Sequence, residues 1–385
     1  MVQEYKMITN NTVAIQLVQT LKDIGVRYVF GVPSGAWIDY MEAIRVTEGI
    51  DFILTSHEGG AAFMADVCGR LTGVPGVCFG TFGPGATNLS TGVAGALLDR
   101  SPLIALTDEV ADKDIGRIVQ MNIDHQALFA PITKSTIRLS KDNVKAQITN
   151  IANVAMSDVK GPVHIGLPVG IALQTDKKPR AEVPLSLDET NRPSKEALEL
   201  AKDKMATANR PVIVLGMRAM TDISKPVLDA FVDMMQVPVV LTPMAKGALS
   251  QEHPNYAGVL FHALSNKVAD IYQQADLVIS LGYDEVEFNY ESWLTGTDII
   301  HFDIIAAQQI GNQNFVILNV TGDLDQSLNK LVDSTIATKP WANEQLVKHK
   351  NELLTAMTSA PDVFGPCSAL DIVRKHLPDN GIMTC

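Results

Sequence analysis

One carboxylate stands at the head of a small-residue helix in the run Ser56-His57-Glu58-Gly59-Gly60-Ala61-Ala62-Phe63-Met64-Ala65-Asp66, and a loop, Gly80-Thr81-Phe82-Gly83-Pro84-Gly85-Ala86-Thr87-Asn88, follows it. A single acid at the tip of a buried apolar segment, beside a loop offering bare backbone, suits proton relay against a flat heterocycle. Taken alone, Glu58 is also accounted for as a first-turn acid complementing the helix dipole, worth about 0.3–1 kcal/mol. Gly59-Gly60-Ala61-Ala62 weighs against that reading, because two glycines so early cost helix stability and small side chains let a neighbour pack close. The Gly83–Asn88 stretch is a tight strand-to-helix turn or a phosphate cradle at a helix start. No Lys-Ser/Thr follows it and no GxGxxG is present, so neither nucleotide motif is met. His57 and His125 lack a second ligand at metal spacing and read as hydrogen-bonding residues. Asp99, Arg100 and Asp108 read as helix-end and strand-end charges. Gly216-Met217-Arg218 is a phosphate-holding turn or a generic one.

The elements that must position these residues alternate. Val13–Leu21 has helical spacing, with an N-cap offered by Asn10-Asn11-Thr12 and a stop at Gly25. Val26–Phe30 reads as a strand leading into Gly31-Val32-Pro33-Ser34-Gly35. Phe52–Leu54, Val77–Phe79, Leu103–Leu106 and Val163–Pro168 are short apolar runs of the kind buried in parallel sheets. A second series reads from Pro211–Gly216, Val237–Leu241, Leu277–Gly282 and Ile299–Asp303. The fold class expected is α/β, with two doubly wound parallel-sheet domains and the start of a third. The expected boundaries are a first domain over 1–173, a Pro-rich charged linker over 174–193, a central Rossmann-like domain over 194–340, and a connector with a new helix (368–376) and strand (381–385) over 341–385.

A chain of 385 residues with 46% hydrophobic and 19% charged residues can bury a large core and is not disordered. Its net charge of -12 argues against nucleic acid as a partner. Cys68, Cys78, Cys367 and Cys385 form no CxxC pair, which fits reduced thiols in the cytoplasm. No apolar h-region follows Met1-Val2-Gln3-Glu4-Tyr5-Lys6, and no run reaches the ~20 apolar residues of a membrane helix.

Together, Ser56–Gly73, Gly76–Asn88 and Asp99-Arg100-Ser101-Pro102 resemble the pyrimidine-binding domain of thiamine-diphosphate enzymes, with acetolactate synthases the nearest likeness. Phe30–Ala36 is similar to their first βα turn and Gly161–Pro168 to their closing strand. Thr242–Gly247 and Ala275–Gly282 resemble the central domain. Tyr283-Asp284 stands where the biosynthetic synthases carry Arg, so the likeness is to catabolic synthases and FAD is not expected. The resemblance implies that Glu58 hydrogen-bonds the aminopyrimidine ring nitrogen, and that Pro33, Gly35, Ala36, Gly83, Pro84, Gly85 and Asn88 hold or line the cofactor. Thiamine diphosphate would act as electron sink for decarboxylating pyruvate, a second pyruvate accepting the two-carbon unit to give 2-acetolactate. Gln120 is matched to a Gln near the substrate, although its spacing to Pro131 is one residue longer than the family pattern. Ser34 and Trp37 depart from the family pattern, which points to a different acceptor pocket. The family's third domain, which holds Mg²⁺ and the diphosphate, has no counterpart here, so the chain is expected to hold half a site and to be inactive alone. The other readings are a different 2-keto acid decarboxylase, a sulfoacetaldehyde acetyltransferase, or a non-catalytic partner subunit. A homo-oligomer, dimer or tetramer, is expected, with a 2-keto acid as small-molecule partner and neither nucleic acid nor membrane.

Overall fold

The computed structural model describes residues 11–117, 119–176, 192–260, 264–287, 297–307, 317–334, 336–358 and 364–383. The chain divides into two compact units, Met1–Glu189 and Thr190–Cys385.

In chain order the first unit holds α1 (Val13–Ile24), β1 (Tyr28–Gly31), α2 (Ile38–Val46), β2 (Asp51–Leu54), α3 (Glu58–Thr72), β3 (Gly76–Gly80), α4 (Pro84–Leu98), β4 (Leu103–Glu109), α5 (His125–Phe129), β5 (Ser135–Arg138), α6 (Val144–Met156) and β6 (Pro162–Pro168). Its six strands run parallel in the order β2-β1-β3-β4-β6-β5. Strand alternation divides the core between the two faces. Val77, Phe79, Ile104, Leu106, Val163 and Ile165 join side chains of α1, α2 and α6. Cys78, Leu103 and Ala105 join the alanines of α3 and α4, together with Phe129. This second face is thin because its residues are small. A Cβ on Gly92 of α4 would lie 2.5 Å from the Ala62 Cβ of α3, and one on Gly76 would meet the Ala65 carbonyl oxygen at 1.8 Å. The helices can therefore sit close to each other and to the sheet.

The second unit holds α7 (Lys195–Thr207), β7 (Pro211–Leu215), α8 (Met217–Thr221), α9 (Lys225–Met235), β8 (Val239–Leu241), β9 (Tyr256–Val259), α10 (Ser265–Tyr272), β10 (Leu277–Leu281), β11 (Asp298–Asp303), β12 (Ile317–Thr321), α11 (Leu324–Val332), α12 (Asn343–Met357) and α13 (Pro366–His376). Its parallel order, β12-β11-β10-β7-β8-β9, is the dinucleotide-fold order, with its switch point between β7 and β10.

Both sheets are parallel and flanked by helices, as expected. Three strands, β5, β9 and β12, escape the sequence reading, and all three lie at sheet edges. Of the expected linker, residues 177–191 lie outside the described residues. Residues 174–176 are bound into the first unit: Val13 N–H donates to the Gln174 carbonyl, Thr175 bridges Thr12, and the Asp176 carboxylate accepts the Asn143 and Val144 amides at the head of α6. The stretch after 340 is more than a connector. Trp341, Leu346 and Leu353 belong to the second core, and the Trp341 indole N–H donates to the Pro211 carbonyl. The strand expected at 381–385 is not found over 381–383, where the Gly381 amide closes a turn on the Pro378 carbonyl; residues 384 and 385 lie outside the described residues. No helix among the described residues is long and apolar enough to cross a membrane.

The close approach can be tested by substitution. Gly76→Ala forces a methyl onto the Ala65 carbonyl and is expected to cost at least about 1–3 kcal/mol. Gly60→Ala, with nothing within 4 Å of the new methyl, should be neutral or gain up to roughly 1 kcal/mol. Urea unfolding of the two variants should move in opposite directions.

Candidate active site

In the first sheet the strand order changes direction between β1 and β3, and ligands of doubly wound folds bind at the carboxyl edge of such a switch point. The turn after β1 presents Pro33, Ser34, Gly35 and Ala36 there, partly or fully exposed, and a Cβ on Gly35 would meet nothing within 4 Å. The turn after β3 brings Gly83, Pro84 and Gly85 to the same edge. Gly83, at φ +67°, caps α4 in a conformation that L side chains rarely adopt, and a Cβ there would lie 2.5 Å from the Met121 carbonyl oxygen. Pro84 then starts the helix with its φ already set.

Glu58 heads α3, with His57 as N-cap accepting the Gly59 amide on Nδ1 at 3.0 Å. The glutamate is buried, and a buried carboxylate needs a donor. That donor is Asn88, on the second turn of α4, whose Nδ2 reaches Glu58 Oε2 at 2.9 Å. The other oxygen, Oε1, faces Gly85, where a Cβ would approach to 3.3 Å. One side of the carboxylate is thus fixed by the protein and the other meets bare backbone. Pro33, Gly35, Ala36, Glu58, Gly83, Pro84, Gly85 and Asn88 all come from turns or helix starts at this one edge. Gln120 is exposed on a turn, and among the described residues it makes no hydrogen bond to these groups. Trp37 is fully buried, stacked 3.9 Å from Phe79 and 4.6 Å from Tyr40, so it belongs to the core and lines no open pocket.

Asp108 is not an ordinary strand-end charge. It lies buried at the end of β4 and accepts the Ser34 hydroxyl at 2.6 Å; Thr81 also bonds it. Burial pushes its carboxyl up to about 6, against the opposing effect of those two hydroxyls. It ties the β1 turn to the β3 turn from beneath. A second polar group, of which the sequence reading singled out His125 alone, comprises the buried Thr107, Glu109, His125 and His164 with the half-buried Gln126 and Thr136. Glu109, His125 and His164 have metal-ligand spacing, but each already makes hydrogen bonds to protein groups. His125 and His164 bond Thr107, and Glu109 accepts from Gln126 and pairs with Arg138. A cation there would have to displace that network. His164 was findable, since an imidazole inside the apolar run Val163–Leu167 must have partners.

In the second unit, the phosphate position of a dinucleotide fold is taken by the protein itself. Met217 N–H donates to both Glu287 oxygens at 3.0 and 2.9 Å, and Thr242 Oγ1 and Asp284 N–H also donate to that carboxylate. Arg218 is buried between Asp284 and Asp303. Gly216-Met217-Arg218 is accordingly an internal turn with no free phosphate donor.

Residues 11–128 match the family model described as thiamine pyrophosphate enzyme, N-terminal TPP binding domain, and residues 198–331 match the central domain of the same enzymes. The acetolactate synthase of Bacillus subtilis is 30% identical over all of this chain and 68% of its own length. The chain belongs to the thiamine pyrophosphate enzymes. A probable acetolactate synthase large subunit of Methanococcus aeolicus is 34% identical over 82% of the chain and 54% of its own length. The large subunit of Lactococcus lactis is 32% identical over 82% and 56%. The chain therefore spans between about half and two thirds of these relatives. The matched family description names a thiamine pyrophosphate binding domain, and the residues at the Glu58 edge fit a flat heterocyclic ring. A buried carboxylate with one free oxygen can meet a ring nitrogen, and the glycine turns leave room for a flat ring.

Asp108 makes a pH prediction. A carboxyl held above its ordinary value keeps its proton in the folded state, so folding loses stability as pH rises from about 4 to about 6 and no more above that. Asp108→Asn, which can still accept from Ser34, should raise the unfolding free energy at pH 8 by roughly 2 kcal/mol. The gain should fade as pH falls to 4. A gain of equal size at both pH values would be the wrong outcome.

Proposed function

We propose that this chain serves a thiamine-diphosphate-dependent condensation of two pyruvates to 2-acetolactate with release of CO₂. The observation that carries the reading is Glu58: buried at the start of α3, anchored on one oxygen by Asn88, and open on the other toward Gly85. The names of these three relatives, all acetolactate synthases, supply the product. When bound, the cofactor supplies a carbanion equivalent and an electron sink for decarboxylation. The chain's own part is narrower. Glu58 holds or returns a proton at the pyrimidine ring nitrogen. Asn88 fixes the direction in which that carboxyl points. The Gly35 and Gly85 turns let the ring reach backbone, and Asp108 with Ser34 and Thr81 keeps the two turns in register. The Mg²⁺ and diphosphate would be held by groups other than these, because among the described residues the one cluster with ligand spacing is already engaged. FAD is not part of the proposal, since Glu287 fills the turn where its phosphates would lie.

We also propose a homo-oligomer. Met64, Val67 and Leu71 repeat along one face of α3 and are exposed, as are Phe63 beside them and Leu98 on α4. An apolar stripe of this kind beside the site marks an interface, and a second copy of the chain is the occupant that symmetry favours.

Two experiments test these readings. In the protein as expressed from its gene, with pyruvate, thiamine diphosphate and Mg²⁺, Glu58→Gln should lower acetolactate formation by about 10²-fold or more, with the fold intact by circular dichroism. Retained turnover refutes the role of Glu58. For the interface, Val67→Asp combined with Leu71→Asp should shift the sedimentation coefficient to that of the monomer; an unchanged value removes this face from the assembly.

A further inference from the structure

The buried network beneath the Gly83 turn can be read in only one direction. At one end the donor is fixed, because the Gly83 backbone N–H points at His125 Nε2, 3.1 Å away. A backbone amide can only donate, so that nitrogen carries no proton. At the other end the acceptor is fixed, because Gln126 Nε2 donates to the Glu109 carboxylate at 2.6 Å and to the Ile137 carbonyl, which leaves Gln126 Oε1 to accept. Working inward from Gln126, Thr136 Oγ1 must donate to Oε1 at 2.7 Å, so it accepts from His164 Nδ1–H at 2.6 Å. His164 Nε2 is then bare and accepts the Thr107 hydroxyl at 2.8 Å. Thr107 in turn accepts from His125 Nδ1–H at 2.9 Å. The assignment reached from Gln126 is the same one that the Gly83 amide demands.

We propose that His125, set through Thr107 by His164, is a positioning residue that holds the Gly83 turn and the head of α4 in place, and so keeps Asn88 aimed at Glu58. This rests on the thiamine-diphosphate reading for what Glu58 does, but not for the relay itself. Both rings must be neutral for the chain of bonds to run. Burial pushes His125 down to about 4, against a small opposing pull from Asp124 and with help from Arg138; it pushes His164 down to about 3, with His125 adding to the effect. Neutral imidazole in water prefers the proton on Nε2, so two Nδ1–H rings are a specific signature of the network. A single hydroxyl, that of Thr107, joins the two rings, and Gly83 cannot take a side chain without striking Met121. The turn therefore has little freedom except through this amide.

The test uses the 385-residue chain labelled with ¹⁵N-histidine and needs no cofactor. Long-range ¹H–¹⁵N spectra at pH 7 should show two rings of the Nδ1–H tautomer that respond to substitution at His125 and His164. Thr107→Val should return His125 to the Nε2–H form and speed hydrogen exchange of the Gly83 amide at least tenfold, and Thr107→Ser should restore both. A wild-type His125 in the Nε2–H form overturns the proposal even if the valine variant does not fold. So does a Gly83 amide whose exchange is indifferent to Thr107→Val. Failure of the thiamine reading would look different: turnover would survive Glu58→Gln while the ring tautomers stayed as described.

Discussion

The close packing of α3 on α4 is the constraint on which the site depends. Gly59, Ala61, Ala62 and Ala65 face Ala86, Leu89, Gly92 and Val93, and the contacts are so near that a methyl on Gly92 would overlap Ala62. Larger residues would add apolar area but separate the helices, and an Asn side chain is too short to bridge a wider gap. The bond from Asn88 to Glu58 exists because the helices lack bulk. The glycines that weaken α3 as an isolated helix are the ones that allow its partner to reach its first residue.

Beneath this pair, two sets of buried polar groups support the turns from different sides. Asp108 binds the hydroxyls of Ser34 and Thr81, and so fixes the spacing of the β1 and β3 turns. The histidine network binds the Gly83 amide. Thr107 and Asp108 lie near the end of β4, and His164 lies within the otherwise apolar β6. A polar group in such a place is costly unless fully bonded, and the bonds these groups make reach the Ser34, Thr81 and Gly83 turns. The rigidity of the sheet is in this way passed to loops that have no core of their own.

Much of this was legible in the sequence. Every strand buried on both faces showed as a continuous apolar run, and Gly25 and Gly73 ended α1 and α3 with left-handed caps. Three of the four edge strands did not show; Ser135–Arg138 and Tyr256–Val259 are only half-buried and their composition follows the solvent. Glu58 and the Gly-Pro-Gly turn were legible because their residue types are unusual at those places. Asp108 was not, since an acid at a strand end is commonplace until its burial is known. Thr107, Thr136 and Gln126 carry no local signal either: they are brought together by the pairing of β4, β5 and β6, which lie far apart in the chain. The inner end of the linker was not legible, because Asp176 turns back to cap α6 through pairing that composition does not show.

In the second unit a nucleotide fold supplies its own acceptor. Glu287 gives the Met217 amide the oxygen partner that a phosphate gives elsewhere, and Arg218 is neutralised by two aspartates of the same chain. The turn is therefore complete as soon as the chain has folded. Three donors, the Met217 and Asp284 amides and the Thr242 hydroxyl, share that one carboxyl group, so a single side chain sets the shape of the whole turn.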